Sequence, residues 1–596
     1  MSSLAPYSGT QRSLVMAIDV GTTYSGAAYA ILDPREVPRI QGVSRYPGQS
    51  SGDYKIPSVL YYTDDGRVRA VGAEAYVPGF ELIVEDEDLI FVDWFKLHLC
   101  PESMDPDSAR ESELHPLPPN KSVVDVLADF LAYLFACAKR YITETHASGT
   151  SLWNSLEGRI DFVLSHPNGW QGPQQAKMRH AAIKAGLVPD TPAGRARVHF
   201  VTEGEASLHY CVNSGLASDL IDEGERVMII DAGGGTVDLS TYLFTGMAPV
   251  SAEEIAAPTS IMQGSTRVNA RALRFLRAKL QHSRFGNHEH LADMMENFEA
   301  STKPTFKEGT EKSFIKFGSR ADNDLAVGIR SGQMVLDGAD IAGFFQPSLT
   351  AIVAAVQDQL RAAAHTVRAA FLVGGFAASP WLFSNLQDIL SFMDIELSRP
   401  DNCTNKAVAE GAASFFLTSF VSTRIAQFTY GVVFNKTFLE YDPEHLQRRH
   451  LLQHRPSGRV SLPDGYRVYI SKGARIKDDA EIRFNFFRES TRSRGLKRIS
   501  AEITAYRGEG TAPRWVDIAP DLFVPLCEVR ADMSGVKREE KQGPHGSYYT
   551  QDYDIVILCG QTELKAQICW IENGEEKRGD AQVIYDEYDE GESIVY

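Results

Sequence analysis

Three times in this chain an apolar run breaks into a glycine-bearing turn. MAIDVGTT places Asp19, Gly21, Thr22 and Thr23 together; RVMIIDAGGGTVD places Asp231, Gly233, Gly234, Gly235, Thr236 and Asp238; AAFLVGGFAASP carries Gly374 and Gly375. A short apolar run bounded by turn residues reads as a buried strand, so each turn stands at a strand end. Glycine lets backbone amides come close to a bound group, and threonine hydroxyls add further donors, which is how backbone cradles a phosphate. An aspartate ending such a strand can hold Mg²⁺, directly or through water, because hard cations take oxygen ligands. One such turn is an ordinary tight turn. Three of them, each after a buried strand, form a constellation.

The charge balance restricts how such a site is built. The chain of 596 residues has a formal net charge of −18, which argues against nucleic acid and against anionic membranes as partners. Any phosphate site must therefore be made locally, from amides, a few lysines or a metal. No uncharged run is expected to approach the roughly 18 residues of a membrane span. The seven cysteines are scattered, with no CxxC pair, as expected of a reduced, cytoplasmic chain.

Strands alternate with helices from residue 14 to about 425, giving an α/β architecture. Helices are expected at 121–143, 267–280, 289–300, 340–360 and 405–420, and strands at 159–166, 226–231 and 369–373. Beyond 425 the period becomes two: YGVVF, YRVYI, EIRFNFF, ISAEITAY, YDIVIL, KAQICWI and AQVIYD follow one another between turn signals. That reads as an antiparallel β unit. The expected division is a disordered start, 1–13; an α/β domain, 14–425; and a β-rich domain, 426–596, with a frayed acidic tail.

IDVGTTYSG, IIDAGGGTVDLS, LVGGFAASP and AVAEGAA resemble the two phosphate motifs, the adenosine motif and the second connecting motif of the actin–hexokinase–heat-shock superfamily. The pattern is most similar to the seventy-kilodalton heat-shock family, in its divergent branch with a shortened C-terminal region. The resemblance covers roughly residues 14–420. It implies a duplicated ribonuclease-H-like (actin-like), two-lobed ATPase domain, its second lobe beginning near 226, with ATP or ADP and Mg²⁺ in its cleft. Asp19 and Asp231 then resemble carboxylates around the Mg²⁺ shell. Gly21, Thr22, Thr23, Gly233, Gly234, Gly235 and Thr236 resemble the phosphate cradle, with Asp238 just past it and Gly374 and Gly375 in the adenosine motif. Glu203, in FVTEGEASL, resembles the catalytic glutamate that places the attacking water. Lys96, in VDWFKLHL, resembles the lysine facing the γ-phosphate. Glu299 and Lys303, in FEASTKPTF, resemble the pair that clamps ribose and adenine.

The sequence departs from the family at several points. Ala378 stands where an adenine-stacking arginine is usual, which implies a weaker grip on adenine or one resting on Phe376 or Pro380. Pro304 follows Lys303 where the family continues basic. The acidic–leucine linker that couples the family's domains is not recognisable between 420 and 432. Pro167, in SHPNGW, matches a loop proline but equally ends a strand.

Slow ATP hydrolysis controlling a polypeptide client or a specific protein partner, bound by the β domain, is the expected function. A nucleotide-gated scaffold with little turnover is the alternative, and a small-molecule kinase of the same superfamily is a third reading. A kinase needs a base for its substrate hydroxyl and a sugar-contacting loop, and neither is found. No helical lid is expected over the β domain, because the period-two runs continue to Asp586.

Overall fold

The computed structural model describes residues 4–49, 52–100, 114–170, 172–215, 222–364, 366–399, 406–560, 563–579 and 582–583. The chain divides into two compact units. One comprises Met1–Trp170 and Lys177–Phe420, the other Gln171–Ala176 and Val421–Tyr596. The β-rich part thus begins at Val421, ahead of the expected 426. The strand Val421–Ile425 pairs antiparallel with Arg475–Lys477.

The first unit is built around two large sheets, with two smaller three-stranded sheets beside them. In the first, the strand order is Ile40–Gly42, Tyr24–Leu32, Ser13–Val20, Ile160–His166, Val198–Thr202. The first three strands pair antiparallel and the last two join in parallel. In the second, the order is Val250–Glu254, Val237–Met247, Arg226–Ala232, Ala369–Val373, Glu396–Ser398, with the same alternation of sense. Both central strands are buried along nearly their whole length, as strands sandwiched between helices must be. Each sheet carries its own core. Met16, Ile18, Phe130, Leu134 and Phe162 fill one; Met228, Ile230, Leu276, Phe345 and Leu372 fill the other.

The helices follow the apolar spacing. Val123–Thr145 starts at a capping box in which Ser122 Oγ accepts from Asp125 N at 3.2 Å and Asp125 Oδ2 accepts from Ser122 N at 2.8 Å, satisfying two otherwise orphaned donors. Ser265–Leu280 and His288–Asn297 occupy the second and third expected positions. The expected helix 405–420 is found as Ala407–Leu417, residue 405 lying outside the described residues.

Two sequence expectations need correction here. Residues 341–357 carry no charge, so one run does approach membrane-span length. It lies in the helix Gly338–Ala363, which is long and apolar enough to cross a membrane by composition, and whose Ile341, Phe345, Leu349 and Ile352 pack into the second core. Over residues 4–12, the expected disorder gives way to a tied segment. Tyr7 N donates to the Glu36 carbonyl at 2.8 Å and Arg35 N donates to the Tyr7 carbonyl at 2.9 Å.

Two helices of the first unit cross at very short range. Glu203–Asn213 meets Ala407–Leu417 so closely that a Cβ placed on Gly411 would lie 1.8 Å from the Ala206 carbonyl oxygen. Beside the crossing, Asn213 Nδ2 donates to Ser414 Oγ.

His166, at the end of its strand, is 1 % exposed, and burial pushes its imidazole down to about 4 from 6.5. The folded chain thus takes the neutral ring and the unfolded chain binds the extra proton. This contribution is complete above pH 6.5 and is lost as pH falls toward 4. Buried Asp238, pushed up to about 7, works in the opposite sense over the same range, so wild type alone does not isolate the histidine. The stability difference between His166→Asn and wild type should therefore shift by about 2 kcal/mol in the variant's favour between pH 7 and pH 5. Urea unfolding of both chains at the two pH values checks this; a difference independent of pH would contradict it.

The second unit is built of antiparallel sheets. One runs Gln453–His454, Val460–Ile470, Thr429–Thr437, Arg498–Tyr506, Phe523–Asp532; the other runs Glu481–Ser490, Gly546–Cys559, Leu564–Glu572, Glu575–Arg578. Val432, Ile503 and Val529 from the first pack with Ile555, Ile557 and Ile568 from the second in one core. Of the run AQVIYD only Gln582–Val583 falls within the described residues, as a strand. The acidic tail lies outside them.

Candidate functional site

The strand Ser13–Val20 ends in one turn and Arg226–Ala232 in another, and the two turns face each other. A Cβ on Gly234 would lie 2.5 Å from Thr23 Oγ1, and one on Gly235 would lie 2.6 Å from Thr22 Oγ1. Only glycine permits that approach. Gly374 closes the third side with φ +90°, where a Cβ would meet both the Ala232 carbonyl and Asp231 Oδ1 at 2.4 Å. The AGGGT turn is held from behind: Gly264, Ser265 and Thr266 donate their amides to the carbonyls of Gly235, Gly233 and Gly234 at 3.1, 3.1 and 2.9 Å. Among the described residues, the amides of Thr22, Thr23, Gly234 and Gly235 donate to no protein acceptor.

Between these turns lies a cavity of about 380 Å³. Asp19, Gly21, Thr22, Thr23, Lys96, Glu203, Asp231, Gly233, Gly234, Gly235, Thr236, Glu299, Lys303, Gly374 and Gly375 line it, so nearly every residue singled out in the sequence is brought to one place. Asp238 is the exception. It lies beneath the turn, fully buried, and accepts from Asn168 N at 2.6 Å.

Three lysines (Lys55, Lys96 and Lys303) and five carboxylates (Asp19, Asp53, Glu203, Asp231 and Glu299) line this volume. Lys96 Nζ donates to Glu203 Oε1 at 2.6 Å, with only 5 % and 11 % of the two side chains exposed. Lys96 also lies 5.5 Å from the centre of the Trp170 ring. Asp19 accepts from Lys55 Nζ and Ser165 Oγ, both at 2.7 Å. Burial pushes the Asp19 carboxyl up, but Lys55 and Lys96 outweigh it and hold the group below the usual carboxylate range. Although Lys55 lies near enough to feel its charge, Asp231 forms no ion pair among the described residues. Ser207 Oγ donates to it at 2.8 Å, while burial and then the charge of Glu203 push it well above the usual range. Burial and Glu203 likewise push Asp238 up to about 7. The second turn is thus a place where negative charge is disfavoured until a cation arrives.

Sequence reasoning missed Lys55 and Asn168. Lys55 carries no motif; it reaches the site because Ile56–Pro57 pairs with Tyr24–Ser25 beside the first turn. Asn168 follows the strand-ending Pro167. It donates its amide to Asp238, and its side chain donates to Ser240 Oγ at 2.9 Å and accepts from Gly204 N at 3.3 Å. The SHPNGW segment therefore ties the first sheet to the second turn through Asn168.

At the far end of the cavity Lys303 Nζ donates to Glu299 Oε1 at 3.3 Å and to Asn269 Oδ1 at 2.8 Å. Residues Phe298–Thr302 form a single π turn, an irregularity that recurs at functional sites. Phe376 and Ala378 both line the cavity. Phe376 stacks on Phe345 with ring centres 6.0 Å apart, which fixes its orientation. Pro380, the other candidate for holding a base, starts the helix Pro380–Ser391 and is not among the lining residues.

The donor set fits a magnesium-bound nucleotide. Free amides on two facing glycine turns suit phosphate oxygens, and Asp231 offers a carboxylate without a cationic partner. An α/β protein with this arrangement is consistent with an actin-like ATPase fold. No protein-family model matches the chain. It is 23% identical over 515 residues to mouse heat shock 70 kDa protein 12A, covering 73% of this chain and 74% of that protein. Human heat shock 70 kDa protein 12A is 22% identical over 520 residues, with the same coverage. Human heat shock 70 kDa protein 12B is 27% identical over 202 residues, 33% of this chain and 28% of the relative. The chain is thus related to the heat-shock 70 kDa proteins over 73% of its length.

Proposed function

We propose that the first unit is a duplicated, ribonuclease-H-like, two-lobed ATPase that binds Mg²⁺ with ATP and hydrolyses it slowly, and that the second unit binds a polypeptide or a specific protein partner. The observation that carries the reading is the face-to-face approach of Gly234 to Thr23 and Gly235 to Thr22, with unspent amides on both turns. Two sheets of the same order and sense, each ending its central strand at one of those turns, support the duplication.

The residues divide by task. The two turns bind and orient phosphates through backbone amides. Lys96 balances phosphate charge, and Glu203, beside it, holds a water in line with the terminal phosphate. Magnesium, when bound, offsets the charge of the phosphates against that of the carboxylates. Phe376 and the Glu299–Lys303 pair face the nucleoside end, where Ala378 removes the option of arginine stacking. In the second unit, the longest helix between 421 and 583 among the described residues is Pro443–Gln447. A β domain without a helical cover would release a bound segment quickly, since affinity differences between related complexes lie mostly in the off-rate.

Calorimetric titration of the full chain with ATP and Mg²⁺ tests the reading. Asp231→Ala should weaken Mg·ATP binding by about tenfold to a hundredfold, that is roughly 1.4–2.7 kcal/mol. Unchanged affinity in a folded variant would remove Asp231 from the site.

A further inference from the structure

Lys55 has no part in the motifs, yet its ammonium reaches Asp19 Oδ2 at 2.7 Å and lines the same cavity. The other oxygen of Asp19 is taken by Ser165 Oγ at 2.7 Å. Side-chain exposure is 15 % for Lys55 and 3 % for Asp19, so the pair is largely shielded from water.

The placement is fixed from the backbone. Ile56 pairs with Ser25, and Gln49 Nε2 donates to the Lys55 carbonyl at 2.8 Å. The stem runs past Gly26, where a Cβ would lie 3.3 Å from Lys55 Cγ. The ammonium is therefore delivered to the cavity wall rather than swinging freely. It feels Asp231 and Glu203 as well as Asp19, and these together raise the Lys55 ammonium above its usual range against the opposing effect of burial. Asp231, by contrast, accepts from the neutral hydroxyl of Ser207 at 2.8 Å.

We propose that Lys55 is a second phosphate-facing lysine, supplying at Asp19 the positive charge that a divalent cation would otherwise supply, so that this cleft binds nucleotide diphosphate with a reduced need for magnesium. The proposal rests on the nucleotide reading of the cleft and deepens it. An ammonium has three donors; with one on Asp19, the others are available to phosphate oxygens. At the short distances of a shielded site, one unit charge outweighs the screening that would erase it in water. The magnesium ion then rests on the Asp231 side, and Asp19 acts through Lys55.

The test is calorimetric titration of the full chain with ADP, once with Mg²⁺ and once with EDTA, on wild type, Lys55→Gln and Lys55→Met, with melting curves to establish folding. Glutamine keeps a donor to Asp19 without the charge; methionine keeps the stem alone. In wild type, removing magnesium should weaken ADP binding by about tenfold or less; in either variant it should weaken binding at least about a hundredfold. A wild-type loss above a hundredfold, or the same loss in wild type and variants, overturns the proposal. The wild-type arm decides by itself if neither variant folds. Failure of folded wild type to bind ADP even with magnesium is a different result: it overturns the nucleotide reading and takes this proposal with it.

Discussion

Glu203→Gln should hydrolyse ATP at least about a hundredfold more slowly than wild type while binding ATP within about threefold, since a group that places water acts mainly in the transition state. Glutamine keeps the size of the side chain and an acceptor for Lys96, whose Nζ sits 2.6 Å from Glu203 Oε1. What it loses is the negative charge. Single-turnover hydrolysis, measured beside equilibrium ATP binding, separates the two quantities. If the variant hydrolyses as fast as wild type, Glu203 is only the partner of Lys96. If wild type itself shows no hydrolysis above background, the chain is a nucleotide-gated scaffold.

Gly411→Ala should destabilise the first unit by about 2–3 kcal/mol, the range for overpacking a tight contact. The sign is informative. Alanine is the better helix former by about 1 kcal/mol, so intrinsic propensity alone predicts stabilisation. The new methyl would have to sit 1.8 Å from the Ala206 carbonyl oxygen, a backbone atom with no rotamer to retreat into. Scanning calorimetry of the full chain checks this; a raised transition temperature would mean that the two helices stand farther apart.

Much of the site was legible because its chemistry is local in the sequence. A buried strand followed at once by glycine and threonine gives both the turn and its donors, so Asp19 through Thr23 and Asp231 through Thr236 are found without knowing how the sheets pair. Lys55 illustrates the limit. Its neighbours are Tyr54 and Ile56, and nothing in YKIPS distinguishes a cleft lysine from a surface one; only the pairing of Ile56 with Ser25 reveals it. Asn168 is hidden for the same reason, since its value lies in reaching Asp238 across 70 positions.

Short strands were also missed. Leu60–Tyr62, Val68–Val71 and Ile90–Val92 form a small sheet, and runs of three or four residues carry too little period to register. Conversely, period two beyond residue 425 extends over whole strands, which is why the antiparallel character of the second unit is plain from sequence while its two-sheet arrangement is not.

The bare crossing at Gly411 sets what kinds of motion the first unit permits. At Gly411 the two helices touch backbone to backbone, while beside that point Asn213 and His209 of one both meet Ser414 of the other, which ties them against sliding. The rod Glu203–Asn213 carries Glu203 at one end and Ser207, which holds Asp231, one turn further on. Both groups therefore ride on one helix, and any tilt of that helix moves them together. Under the proposed nucleotide function, opening the cleft would disturb the water-placing and the metal-facing carboxylate in a single motion.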